Sequence, residues 1–124
     1  EEETATLIKE AYKSARVRHI GPTAISKILH LLNPELFVMW DEDIRRKYVV
    51  EGSATGYLEF LKKMKKELKE ALEEEAKRTG ESEREIAKRI CRELPSKKLG
   101  RGYYRKTLAK LIDEYNWWVV HRSE

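Results

Sequence analysis

The sequence predicts an all-α fold, a compact single domain of about six helices, on three observations. Apolar residues recur at three-four spacing almost from end to end, the breaks carry helix stop and start residues, and only one short run reads as a strand. The chain has 124 residues, the size of one ordinary domain and enough to bury a core without staples. No repeat or low-complexity tract divides it, so residues 1–124 are expected to form one helical domain.

The first helix, over about residues 3–18, stacks Leu7, Ile8, Ala11, Tyr12 and Ala15. Gly21-Pro22 breaks it and starts a second helix, because proline suits the first helical position. Ile25, Ile28, Leu29 and Leu32 follow on one side before Asn33-Pro34 ends that helix. Leu36-Phe37-Val38-Met39-Trp40 is the strand-like run; with no partner strand elsewhere, it reads as an extended, buried connector. Asp41 is placed to N-cap a short helix from Glu42 to about Val49.

Ser53 caps the longest helix, about 54–79, whose apolar stripe is Tyr57, Phe60, Leu61, Met64, Leu68, Ala71, Leu72 and Ala76. At the helical rise per residue it spans roughly 40 Å. Gly80 stops it, and Ser82 with Glu85 forms a capping box for a helix that ends at Leu94-Pro95. After a Lys- and Gly-rich loop from Ser96 to Gly102, the last helix is expected to begin near Tyr103, with Tyr104, Leu108, Leu111, Ile112, Tyr115 and Trp118 inward. Leu29, Leu61, Leu68, Ile90, Leu108 and Leu111 are expected in the core. Trp117 and Trp118 lie about 100° apart on a helix, so at most one faces the core, and Trp117 is the expected surface residue.

Composition excludes several classes. Charged residues make up 39% of the chain, Gln is absent and Asn occurs only at 33 and 116, a balance expected of a thermophile. The net charge of +4 is too modest to establish a nucleic-acid role by itself. No run of 18 apolar residues exists, so no membrane partner is expected. Glu1-Glu2-Glu3 carries no signal-peptide pattern and reads equally as a cut start with residues missing upstream. Cys91 is the sole cysteine; its neighbours Ile86, Ala87, Ile90 and Leu94 mark it as a packed thiol, and a cytoplasmic location follows by default. No nucleotide loop or nucleophile elbow is present, and no cofactor is expected. His19, His30 and His121 lack tight ligand spacing, so no metal site is expected either. Asp41 and Asp43 sit one residue apart around a helix start and are expected to point differently.

Positive charge concentrates in two places. From Ser96 to Lys110 the chain holds Lys97, Lys98, Arg101, Arg105, Lys106 and Lys110 with no acid. Tyr103 and Tyr104 interleave these, and Gly100 and Gly102 let the backbone approach a ligand. A basic, Gly-containing loop opening onto a helix start suits phosphate, and the same pattern also fits a solvated loop. A second acid-free stretch, Ala11 to Asn33, carries Lys13, Arg16, Arg18 and Lys27 with His19 and His30. On its second helix Thr23, Ser26, Lys27 and His30 share one face, a candidate binding face or simply a wet one.

The segment Arg18-His19-Ile20-Gly21-Pro22-Thr23-Ala24-Ile25-Ser26-Lys27-Ile28-Leu29 resembles the hairpin of the helix-hairpin-helix DNA glycosylases. The resemblance continues through Pro34, the apolar Phe37 to Trp40, then Asp41 and the basic Arg45-Arg46, and covers about residues 18–47. It implies a helix-hairpin-helix near residues 5–32 whose backbone N–H groups, around Gly21 and Thr23, hold a DNA phosphate. It also implies Asp41 as the catalytic carboxylate. Two departures matter: His19 stands where the family's hairpin has its first glycine, and Thr23 stands where the bifunctional members carry a lysine. A Schiff-base mechanism is therefore not implied.

Three functions follow as expectations. The first is a non-catalytic module gripping nucleic-acid backbone through the hairpin and the basic loop. The second is a minimal glycosylase-like enzyme using Asp41, although catalysis has little direct support in the residues. The third is a helical interaction domain that forms a homo-oligomer through the long helix or Trp117.

Overall fold

The computed structural model describes residues 1–93, 98–99, 102–103 and 107–122. Its helices are α1 (Glu2–Ala15), α2 (Pro22–Leu32), α3 (Glu42–Tyr48), α4 (Ala54–Thr79), α5 (Glu83–Glu93) and α6 (Leu108–His121). Two-residue strands β1 (Lys98–Leu99) and β2 (Gly102–Tyr103) pair antiparallel, with Lys98 opposite Tyr103, inside the stretch expected to be loop. The all-α expectation holds. Among the described residues no helix is long and apolar enough to cross a membrane.

The caps explain the boundaries. Asp41 accepts from the Ile44 N–H at 2.8 Å, and Ser53 accepts from Gly56 at 3.1 Å. Ser82 and Glu85 exchange both bonds of the capping box. Gly80 ends α4 in the left-handed region at φ 76°. The last helix starts at Leu108 rather than near Tyr103, because Thr107 caps it through the Lys110 N–H and ties down to the Pro34 carbonyl at 2.7 Å. The first helix ends at Ala15, three residues earlier than the apolar spacing implies, where Arg16 turns extended. Val49 closes α3 at φ 54° while 86% exposed, an unfavourable backbone for a β-branched residue.

The core forms around the connector, residues 37–40. Phe37, Val38 and Trp40 are buried, together with Tyr12, Tyr57, Phe60, Ile25 and Ile44. Trp40 meets Tyr57 edge-on at 4.9 Å between ring centroids, and Tyr57 stacks on Tyr12 at 5.2 Å. A non-helical segment without a strand partner must still satisfy its buried N–H and C=O groups. Here side chains do so. Ser26 Oγ accepts from the Trp40 N–H at 3.1 Å, the His30 ring donates to the Phe37 carbonyl at 2.6 Å, and the Tyr57 hydroxyl donates to the Val38 carbonyl at 2.8 Å. That burial pushes the Tyr57 phenol well above its ordinary range.

The expected core needs correction. Leu29 is buried as expected, whereas Leu61, Leu68, Ile90, Leu108 and Leu111 are only half-buried. Leu7, Ile28 and Leu32 are exposed, and so are Tyr115 and Trp118, while Trp117 is exposed as expected. The aromatic residues of the connector and α4 already fill the centre, so α6 turns Ala109 and Asn116 inward instead of its large rings. Asn116 accepts from the Tyr48 hydroxyl at 2.9 Å, and that hydroxyl also sits 2.9 Å from a Glu67 oxygen. Tyr104 lies outside the described residues. The Cys91 thiol is half-buried, and burial raises its pKa, which suits packing rather than nucleophilic chemistry.

Candidate functional site

In the stretch expected to hold the hairpin, α1 and α2 pack against each other and are joined by residues 16–21. The turn bends through His19, which is exposed at φ 70°. That is the left-handed region glycine favours. Gly21 itself has φ −87°, which any residue adopts, so the unusual backbone lies at His19.

Gly21 is the N-cap of α2, with no side-chain capping bond and no acid in the first turn. The turn is braced from beneath. Trp40 Nε1 donates to the Pro22 carbonyl at 3.0 Å, and Arg45 donates to Thr23 Oγ1 at 3.2 Å while its guanidinium lies 5.2 Å from the Trp40 ring centre. Arg16, Arg18 and Lys27 are exposed around this end.

The shared face of α2 divides in two. Lys27 is exposed and Thr23 half-buried, but Ser26 and His30 are buried. Both bond the connector backbone, and His30 also lines a shallow pocket with Lys27 and Lys110. Of the basic-loop candidates, Lys97, Arg101, Arg105 and Lys106 lie outside the described residues; Lys98 and Tyr103 are described only as backbone partners in the short strand pair.

An open cleft of about 350 Å³ lies between α2, α3 and α6, lined among others by Thr23, Lys27, Asp41, Lys110, Asp113 and Trp117. Asp113 is held 3.3 Å from Lys110 Nζ; burial raises its carboxyl pKa, and the lysine opposes that rise. Trp117 is 57% exposed, and its ring centroid lies 4.7 Å from that of His121 at a 36° tilt.

Asp41 is placed where the cap reading and the cleft reading meet. One oxygen caps α3, and the other lies 3.2 Å from His121 Nε2. Asp43 Oδ2 is 3.8 Å from the same nitrogen. The two aspartates therefore converge on one group, contrary to the expectation that they point apart. Among the described residues, Asp41, Asp43 and His121 together offer three ligand atoms within 4.8 Å of one another. His121 is the residue that sequence reasoning missed, because it stands 80 positions from Asp41 and has no spacing signal.

The cap makes a direct prediction. Asp41→Ser keeps an oxygen for the Ile44 N–H and should leave the urea midpoint nearly unchanged, while Asp41→Ala should cost about 1 kcal/mol. Compared with protein-family models, curated proteins and solved structures, the chain shows no match.

Proposed function

We propose that this protein is a non-catalytic module that binds nucleic-acid backbone at the hairpin turn. The observation that carries the reading is the acid-free start of α2, where Gly21 and Ala24 are exposed and no side chain caps, presented by a turn whose backbone is left-handed at His19. The free N–H groups of a helix start and its dipole favour an anionic oxygen. Arg16, Arg18 and Lys27 supply positive charge beside it, and Arg45 holds Thr23 in place. The resemblance to the helix-hairpin-helix glycosylases supports the same use of this turn. The basic loop around Lys97, Lys98 and Arg101 is a second contact region in this reading.

Fluorescence anisotropy against duplex DNA, single-stranded DNA and RNA at several salt concentrations tests it. Wild-type affinity should fall steeply with salt. Arg16→Ala with Arg18→Ala and Lys27→Ala should flatten the log K against log salt slope by roughly 2–3 units, as should Lys97→Ala with Lys98→Ala and Arg101→Ala. Binding that ignores salt and both triple variants overturns the reading. A stable dimer with no nucleic-acid affinity favours the interaction domain instead.

A second reading, base excision by Asp41, draws support from the position of that carboxylate on the cleft wall beside Thr23 and Lys27. Against it, both Asp41 oxygens are already engaged, one by the Ile44 N–H and one by His121. No excision from a panel of damaged duplexes is expected; turnover lost in Asp41→Asn would install the enzyme reading.

A further inference from the structure

We propose that Asp41, Asp43 and His121 form a binding site for one divalent first-row transition-metal ion, of which zinc is the natural probe. Three elements of the fold converge there: the end of the connector, the first turn of α3 and the last turn of α6. His121 Nε2 stands 3.2 Å from Asp41 Oδ2 and 3.8 Å from Asp43 Oδ2, and the three atoms lie within 4.8 Å of one another. Ligand atoms about 2.0–2.2 Å from a single ion are roughly 3–3.5 Å apart, so the widest pair has to close by about 1–2 Å, within reach of side-chain rotation.

The ligands are oriented from outside. Asp41 commits Oδ1 to the Ile44 N–H, which turns Oδ2 toward the histidine. Asp43 sends Oδ1 toward Arg46 at 3.7 Å and keeps Oδ2 on the histidine side. The Trp117 ring lies against His121, tilted by 36° with 4.7 Å between centroids. Such outer contacts hold metal ligands in register. The histidine and Asp41 side chains are 14% and 29% exposed, which leaves room for solvent to complete the coordination shell.

The charge balance accommodates a cation. Two carboxylates face one imidazole nitrogen, and either a proton on that nitrogen or a cation between the three offsets the repulsion of the carboxylates. A dication balances the two formal negative charges and ties α6 to α3. The donor chemistry selects the class of ion: imidazole with carboxylates suits zinc, manganese, iron or nickel, whereas magnesium and calcium prefer oxygen alone.

Isothermal titration of the full chain with Zn²⁺, and separately with Mg²⁺, tests the site, with far-UV circular dichroism as the folding control. One Zn²⁺ per chain is expected, with a raised melting temperature and no Mg²⁺ response. His121→Ala should abolish binding. Asp43→Asn should weaken it by roughly tenfold or more, as should Asp41→Ser, which keeps the α3 cap and therefore the fold. A wild-type protein that takes up no Zn²⁺ overturns the proposal. So does uptake that survives His121→Ala and Asp43→Asn unchanged, which would place the ion elsewhere, at Cys91 or the other histidines.

Discussion

Replacing Trp40 with alanine is expected to cost about 3–5 kcal/mol and to lower the melting temperature by on the order of 10–20 °C. The indole is 1% exposed and lies against Tyr12, Tyr57 and Phe60. Its removal opens a cavity where α1, α2 and α4 meet, and two of the three surrounding rings resist collapse into it because their hydroxyls are bonded in place. Tyr57 holds the Val38 carbonyl, and Tyr12 donates to the Gly52 carbonyl at 3.0 Å. Trp40→Phe separates packing from polarity. It keeps most of the ring but deprives the Pro22 carbonyl of its donor, and should cost about 1–3 kcal/mol. Leu31→Ala, at a site 81% exposed, should stay within about 0.5 kcal/mol and serves as the control. Equal midpoints for Trp40→Ala and Leu31→Ala in urea would mean that the connector does not organise the core.

Gly56→Ala is expected to destabilise, against the usual sign of that change in a helix. In an open first turn alanine would gain up to about 1 kcal/mol over glycine. Here an added Cβ would lie 1.9 Å from the Glu51 carbonyl oxygen and 2.7 Å from its carbon. Both are backbone atoms, so no side chain can swing aside. The segment around Glu51 and Gly52 would have to shift, and Gly52 packs on Pro22 while its carbonyl holds the Tyr12 hydroxyl. The expected cost is about 1–3 kcal/mol or more, read as a lowered urea midpoint. Gly21→Ala, with open space around its Cβ and an ordinary φ, should cost no more than about 1 kcal/mol, the N-cap preference for glycine. A stabilised Gly56→Ala protein would show that the segment before α4 yields freely.

The helix starts were legible in the sequence because a cap is a local event. Asp41, Ser53 and Ser82 each bond a backbone N–H three residues ahead, within reach of sequence inspection. Gly80 was legible as a stop for the same reason, since glycine accepts the left-handed backbone cheaply. The start of α6 was not. Thr107 gains its place partly from the Pro34 carbonyl, 73 residues away, and the basic run before it carries no local stop. The connector was legible as a buried non-helical run, although Leu36 is 42% exposed and lies in a turn, and what satisfies its backbone was not legible.

For the candidate site the division runs along the same line. The turn around Gly21 and the cap at Asp41 could be read from residue order, since each depends on neighbours within a helical turn. Which polar residues of α2 face inward was decided by the tertiary structure. Ser26 and His30 share a face with Lys27, yet the unpaired carbonyls and N–H of residues 37–40 draw the first two into the core and leave the lysine in solvent. Periodicity assigns a face but not its surroundings, and a buried backbone group without a partner costs more than exposing a leucine at the surface. Leu31 and Leu32 stay outside for that reason. The convergence of His121 on Asp41 and Asp43 depends wholly on how α6 crosses α3, a geometry that side-chain packing sets and that no spacing along the chain encodes.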